Sequence, residues 1–488
     1  MFRGSGIALC MLACMSGAHA LSVGEIAEPV TLETLDGYAR TMDNYAERNG
    51  TVVVFLSARC LATADQIKAI NTVHEKYREE EVLFVGVCSN PEESGEELRT
   101  FQQNGGCIFP IYRDPARAVA NQFGAKVTPE FFLLDKAGKV LYHGGLGSEK
   151  KGLEPAIVSL LGRKPIAVTE AEAQGTAIDQ PGPKREIPDP YGSFAFSSEL
   201  IFTKIPGVAV HHCSTITEAP NGDLLCLWYA GSYESAEDQA LYMARLVKGQ
   251  RVWSTPQRLL QNPEAPPGNA VIFTGPDRRV WIVWGRMEGS RPTRRGSGWS
   301  KCRLMVRTST DNGETWSTDS EMPDSFAWLP RNAPLTLNDG RFALPISGHV
   351  DGAYAGFLLI LDPAQQTWNR IGLMPGGEQP TVVQRDNGDL LCLMRGHPRI
   401  LQSTSSDGGV TWTKPTRAEL KCPDSGIAMT KLKSGRLLLA YNDTDQWDRT
   451  PFTVIQSTDD GKTWSDIRVL EQDWGEFSYP CIIQSSDG

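Results

Sequence analysis

Along the first third of the chain, short apolar runs alternate with longer stretches whose apolar residues recur every three or four positions. TVVVFLSARC (51–60) and EVLFVGVCSN (81–90) are apolar enough for buried strands, and ADQIKAINTVHEKYREE (64–80) between them has the one-sided pattern of a helix lying on a sheet. VTPEFFLLDKAGKVLYHGG (127–145) reads as a strand, a turn and a returning strand. Strand, helix, strand and closing hairpin predict an α/β layer fold over residues 21–162. Residues 163–190, RKPIAVTEAEAQGTAIDQPGPKREIPDP, mix Pro, Gly, Ala and charge without a sustained period, which predicts a linker.

Past residue 190 the pattern changes to strands alone. A tight turn leading into an apolar strand recurs as PNGDLLCLW at Gly222, GPDRRVWIVW at Arg278, LNDGRFALP at Gly340, RDNGDLLCLMR at Gly388, LKSGRLLLAYN at Gly435 and QSSDG at Gly488. The intervals are 56, 62, 48, 47 and 53 residues, the length of four short strands with their loops. A second phrase, S-x-D-x-G-x-T-W, is intact in STDNGETW (309–316), SSDGGVTW (405–412) and STDDGKTW (457–464), with degenerate copies in LDPAQQTW (361–368) and KGQRVWS (248–254). Its Ser and Asp suit the backbone bonds of a hairpin turn, its Gly a positive φ and its Trp a wedge between sheets, so these aspartates are structural. Four-stranded units that cannot bury a face alone close into a ring. Six turns therefore predict an all-β, six-bladed propeller over 191–488. SYPCIIQ (478–484) reads as a strand and SSDG as the turn after it, so the last blade is expected to be truncated, lacking its closing strands.

Composition adds limits. At 488 residues the chain exceeds a single core and fits two domains. A formal charge of -10 argues against a nucleic-acid partner while leaving room for a local basic patch that holds an anion. No run after residue 20 is apolar and long enough to span a bilayer. Residues 1–20 differ in kind: Arg3 in a short n-region, an apolar run from Ile7 to Met15, and Ala18-His19-Ala20 as a cleavage signal. They predict a signal peptide, a mature start at Leu21 and an exported protein, periplasmic or secreted. Of eleven cysteines, nine remain after Cys10 and Cys14, scattered without paired or metal-type spacing. Neither a disulfide scaffold nor a metal site follows, no cofactor is implied, and the oligomeric state is not legible.

In the first domain, Cys60 falls after a buried strand and just before a helix, whose N-terminus favours a thiolate. Thr128-Pro129 ahead of FFLLD reads as a cis peptide. FLSARC, VTPEFFLLD and DKAGKV together resemble the thioredoxin-like redoxins, peroxiredoxin-like branch, over most of 22–150. The resemblance implies a thioredoxin-like fold with a redox site at Cys60 and Pro129, and Ser57 fits a peroxidatic pattern loosely. The chain departs from it at Thr63, where a dithiol pair has its second cysteine, and at Val53, where a proline belongs. Two readings stay open: a live thiol at Cys60, or Cys60, Cys88 and Cys107 as small apolar fillers.

The second half is similar to the bacterial sialidase-like group with BNR repeats (Asp-boxes), from about Phe194 onward. The residues that carry the likeness are HHCSTI, WYAGSYESAEDQALYMARL, LPRNAPLTLNDGRFALP, GEQPTVVQRDNGDLLCLMR, DSGIAMTKLKSGRLLLAYND, RTPFTVIQSTDDGKTW and EFSYPCIIQSSDG. In sialidases three arginines clamp the substrate carboxylate, a tyrosine helped by a glutamate is the nucleophile, and an aspartate is the acid/base. Carried over by motif, Arg395 and Arg449 take the second and third arginine places and Tyr479 that of the nucleophile. His212 stands where the first arginine belongs, and Gln379 where the glutamate belongs, with Glu378 beside it. Arg331 is a candidate third cation, Glu234, Glu237 and Asp238 are candidate acid/base carboxylates, and the run from Arg286 to Arg303 a candidate overhang of the mouth.

The resemblance implies an exported sialidase-like glycoside hydrolase acting on acidic, sialic- or uronic-acid-containing glycans, with an accessory thioredoxin-like domain. The His-for-Arg and Gln-for-Glu changes motivate an alternative, a uronate-type polysaccharide lyase with His212 and Tyr479 as base and acid. A third reading is a non-catalytic glycan-binding propeller joined to a redox-sensing domain.

Overall fold

A computed structural model describes residues 20–487 except 36, 38, 43–44, 46–47, 79, 104–105, 149–150, 180–181, 183–197, 203, 289–298, 363, 366, 448 and 472–475. The expected signal peptide therefore lies outside the described residues but for Ala20, as does most of the arginine-rich run between Arg286 and Arg303. The chain divides into two compact units, Met1–Phe194 and Ala195–Gly488.

The first unit is a mixed α/β layer. In chain order its elements are β1 (Val30–Glu33), β2 (Ala39–Met42), β3 (Gly50–Phe55), α1 (Leu61–Arg78), β4 (Val82–Cys88), α2 (Gly95–Gln103), β5 (Ile111–Arg113), α3 (Ala118–Phe123), β6 (Val127–Thr128), β7 (Glu130–Leu134), β8 (Val140–Gly144), β9 (Gly147–Ser148), β10 (Lys151–Gly152), α4 (Leu153–Leu161), β11 (Glu170–Ala171) and β12 (Thr176–Ala177). One sheet runs β11-β8-β7-β3-β4-β5-β1-β2. β3 is buried along its whole length, pairing parallel to β4 and antiparallel to β7, so its continuous apolar run needs cover on both faces. Val52, Val54, Phe84, Phe131 and Leu133 meet Ile67 and Ile70 of α1 and Ile157 of α4 in one core. Thr128–Pro129 is cis, as its sequence suggests. The stretch expected to be a linker is built into this unit as far as it is described: β11 pairs parallel to β8, and β12 pairs antiparallel to β6. Glycines permit this close approach where no apolar period announces it, since a Cβ on Gly144 would reach the Ala171 carbonyl at 1.9 Å and one on Gly175 the Thr128 carbonyl at 2.0 Å.

The second unit is a propeller. Blade one holds β13 (Val210–Glu218), β14 (Leu224–Gly231), β15 (Ala240–Leu246) and β16 (Gln257–Gln261). Blade two holds β17 (Pro267–Thr274), β18 (Val280–Met287), β19 (Cys302–Ser309) and β20 (Ser320–Glu321). Blade three adds a fifth strand: β21 (Trp328–Pro330), β22 (Leu335–Thr336), β23 (Phe342–Val350), β24 (Ala353–Asp362) and β25 (Thr367–Pro375). Blades four and five are β26 (Glu378–Gln384), β27 (Leu390–Arg395), β28 (Arg399–Ser405), β29 (Thr416–Lys421), then β30 (Ala428–Lys431), β31 (Leu437–Asn442), β32 (Phe452–Ser457) and β33 (Ser465–Glu471).

The expected six blades are thus five among the described residues, each an antiparallel meander. The segment 478–487 forms no ladder among the described residues. It nevertheless sits where a sixth inner strand belongs. Gln484 accepts from Lys433 N at 2.7 Å, repeating the bond that Gln384 at the end of β26 accepts from Asn338 N. On the other side Ser486 N donates to Glu218 at 2.6 Å, and Cys481 lies 3.8 Å from the Thr215 hydroxyl. The segment therefore bridges β13 and the turn that follows β30 through side chains.

Blades are held by the repeated boxes. In each intact copy the aspartate accepts from the Thr backbone N–H, at 2.9 Å for Asp311, Asp407 and Asp459 alike, and from the Thr hydroxyl. Each box packs on the blade before it, where a Cβ on Gly313, Gly409 or Gly461 would meet Leu225, Leu358 or Leu391 within 3 Å. An arginine of that preceding blade then caps the turn: Arg245 on Asn312 O, Arg341 on Gly408 O and Arg385 on Asp460 O, at 2.8, 2.9 and 2.8 Å. The turn aspartates are consumed by their own hairpins, as the sequence implied.

Candidate functional site

The heads of the inner strands position the site. A β-bulge falls between His212 and Thr215, between Gly268 and Val271 and between Glu378 and Thr381. At each bulge one residue is left-handed: Cys213 (φ 58°), Asn269 (41°) and Gln379 (49°), and Tyr479 repeats the conformation at 59°. A bulge breaks the in-out alternation and re-aims a side chain, and holding a non-glycine residue there is a local cost met by surrounding packing. Gly426 holds the corresponding place in blade five, three residues before Met429, whose N–H meets Thr381 as that of Ile272 meets Thr215. A Cβ on Gly426 would lie 2.7 Å from Tyr479 Cδ1, 3.1 Å from Arg331 Nε and 3.1 Å from Gln379 Oε1, so these three side chains converge on it.

Tyr479 is the hub. Arg395, the last residue of β27, donates from Nη1 to the phenol oxygen at 3.0 Å. The same nitrogen lies 3.3 Å from Glu378 Oε1. The guanidinium carbons of Arg331 and Arg449 each lie 5.2 Å from the centre of the Tyr479 ring, and the His212 ring is 4.5 Å away. Asp424 holds Arg395 in a bidentate pair, with both N–O distances 2.9 Å, and Glu476 holds Arg449 at 2.6 Å. A cavity of about 460 Å³ opens beside the phenol, lined by Arg395, Arg449, Glu378, Gln379, Glu234 and Tyr479 with Asn269, Trp299, His349 and Tyr354 among others. That volume is in the range of small-ligand clefts.

The expected residues separate into three groups. Arg395, Arg449, Glu378, Gln379, Glu234 and Tyr479 face the cavity. Arg331 and His212 sit behind the tyrosine instead: Arg331 is 3 % exposed and donates to Pro480 O at 2.6 Å, and His212 has a buried Nε2 without a partner. Arg331 is therefore a support for the Tyr479 segment, with Nη2 bonded to that backbone and Nε buried without a partner. Asp238 and Glu237 lie away from the cavity. Asp238 accepts from the Ser232 N–H at 3.1 Å and from its hydroxyl, a turn bond, and Glu237 is exposed. Of the acidic cluster only Glu234 faces inward, with Tyr229 donating to it at 3.1 Å.

Burial sets the electrostatics. It raises the Glu378 carboxyl above its ordinary range, with Arg395 opposing. It raises the Tyr479 phenol as well, against the pull of Arg395 and Arg449, and it lowers the His212 imidazole against Glu476 and Glu234. Burial works against the Asp424 carboxylate, yet Arg395 outweighs it and keeps the group below its usual range. Asp424 and Glu476 were missed in the sequence. Asp424-Ser425-Gly426 stands in the register of Phe477-Ser478-Tyr479, and aligning those strand heads would have found it.

In the first unit Cys60 is 1 % exposed at the start of α1, its Sγ 2.8 Å from Thr128 O and 3.3 Å from Thr176 Oγ1. Burial alone would raise its thiol, but the bonds from Thr176, Thr128 and the Thr63 backbone outweigh this and bring the pKa down to about 7. Cys88 and Cys107 are buried and pushed far upward, the filler half of the earlier alternative.

Residues 222–488 match the family of BNR repeat-like domains, more than half of the chain. The chain belongs to the BNR repeat-like family. Residues 23–143 match the AhpC/TSA family, so this BNR repeat-like chain carries a thioredoxin-like domain ahead of its propeller. A sialidase from Micromonospora viridifaciens is 24 % identical over 328 residues, covering 58 % of this chain and 49 % of its own length. The chain thus spans about half of that relative. The thiol-disulfide oxidoreductase ResA of Geobacillus thermodenitrificans (strain NG80-2) is 28 % identical over 121 residues, 25 % of this chain and 68 % of that one. Among solved structures, a point mutant of NanB sialidase from Streptococcus pneumoniae superposes with a TM-score of 0.50 at 11 % identity over 74 % of this chain and 79 % of its own, a likeness of fold.

Proposed function

We propose that the propeller is an exported, sialidase-like glycoside hydrolase acting on glycans that end in an acidic sugar. The observation that carries this reading is the single Arg395 nitrogen shared by the Tyr479 phenol at 3.0 Å and the Glu378 carboxylate at 3.3 Å, with Arg449 on the same cavity. The two arginines receive the sugar carboxylate. Glu378, raised by burial, takes the phenol proton as the Tyr479 oxygen attacks the anomeric carbon, and Glu234 protonates the departing glycosidic oxygen. Water then cleaves the tyrosyl sugar, with Glu234 acting as base. The fold match and the sialidase relative support the class, and Arg395 and Arg449 support the acidic sugar.

Elimination at a uronate is less well supported, because its base would be His212, whose ring lies behind Tyr479. The test is hydrolysis of a fluorogenic sialoside by the full-length protein, beside ultraviolet monitoring of uronate polymers. Fluorescence release without absorbance gain is the expected outcome. An unsaturated product without fluorescence release would overturn the hydrolase in favour of the lyase.

A further inference from the structure

The thiol of Cys60 is closed off by a piece of the chain that belongs to neither its strand nor its helix. β12 lies antiparallel to β6 with Thr176 opposite Thr128 and Ala177 opposite Val127. Ile178 N donates to Lys126 O at 3.0 Å, and Thr128 Oγ1 reaches Thr176 O at 3.4 Å. The same Thr176 presents its hydroxyl to Cys60 Sγ at 3.3 Å, and Thr128 presents its carbonyl to that sulfur at 2.8 Å. Gly175 is pressed so close to Thr128 that no side chain fits between them. Further on, Gly182 crosses the Arg59 carbonyl, where a Cβ would stand at 2.9 Å. The strand edge that closes over the sulfur is thus occupied, and little of the sulfur meets water.

We propose that residues 175–178 are an intramolecular strap that occupies the backbone edge of Val127–Thr128 and gates access to Cys60. Three observations carry it. The strap is only two ladder residues long, so few bonds hold it and its opening costs far less than unfolding the unit. It presents Gly175 at the one point where the edge tolerates nothing larger, the feature of a segment matched to that edge. It also sets the Thr176 hydroxyl 3.3 Å from the sulfur, a contact that lowers the thiol pKa, so the closed state shields the sulfur while tuning it toward the thiolate. Displacing the strap exposes both the sulfur and a two-residue strand edge, the surface to which another extended peptide adds.

The test is alkylation of the full-length protein with N-ethylmaleimide, following the Cys60 peptide by mass spectrometry. Gly175→Val, which cannot lie against Thr128, is expected to speed Cys60 labelling about tenfold or more at neutral pH while circular dichroism stays native. Thr176→Val keeps the strap and removes only the hydroxyl, so its pH–rate profile should shift upward from about 7. Wild-type hydrogen exchange gives a reading without mutation, since amides of 126–128 and 175–178 are expected to be protected and to open together. Equal Cys60 labelling in wild type and a natively folded Gly175→Val, or unprotected amides in both segments, would overturn the strap.

Discussion

At the scale of single residues, the site depends on Tyr479 being held in a left-handed conformation among three guanidinium groups. Tyr479→Phe removes one oxygen and leaves the ring packing, so sialoside turnover should fall by about a hundredfold or more while melting temperature stays close to wild type. Gly426→Ala adds one methyl against Tyr479, Arg331 and Gln379, and should lower kcat through displacement of the tyrosine, read by the same fluorescence assay. In the proposed mechanism Glu378 is the base, a role open only to its ionised form, and burial raises its pKa. The acidic limb of kcat/KM should therefore lie above the ordinary glutamate value of about 4.3, and Glu378→Gln should remove both that limb and most of the rate.

At the scale of elements, the box aspartates make an acid-stability prediction. Hydrogen bonds from the Ser and Thr hydroxyls and Thr backbone depress Asp407 to about 2 and depress Asp311 and Asp459 further. A folded pKa below the unfolded one gives stability that is present above the unfolded value of about 3.9 and lost as pH falls through the folded one. The triple change of these aspartates to Asn should flatten the acid limb of the melting curve between about pH 4 and 2. Arg385→Ala, which removes a clasp between blades four and five, should cost about 1 to 2 kcal/mol in urea unfolding. The elements were the legible part of the sequence. The turn phrase and the box recur because each turn needs its own glycine and each hairpin its own aspartate, and such local needs are written locally. What was not legible is non-local. Asp424 matters because it meets Arg395 across 29 residues, and β11 and β12 form because glycines let them approach an existing sheet, so neither leaves a periodic trace. Glu237 and Asp238 looked equivalent to Glu234 for the same reason, since one loop of alternating acids does not say which of them turns inward.

At the scale of the whole molecule, five blades and one bridging segment bring residues from 234 to 479 to one cavity. The cavity's two arginines, Arg395 and Arg449, and its Tyr479 were legible as family positions, while the two departures resolve differently. Gln379 lines the cavity, with Glu378 beside it poised on Arg395, whereas His212 and Arg331 brace Tyr479 from behind. The account reduces to one claim, that the Tyr479 oxygen is the atom that joins to the sugar. Incubating the full-length protein with a fluorinated sialosyl fluoride, which lets the glycosyl enzyme accumulate, and mapping the adduct by mass spectrometry tests it most directly. The expected result is one added sugar on the peptide containing Tyr479, absent in Tyr479→Phe. An adduct on another residue, or sialoside turnover by Tyr479→Phe at the wild-type rate, would contradict it.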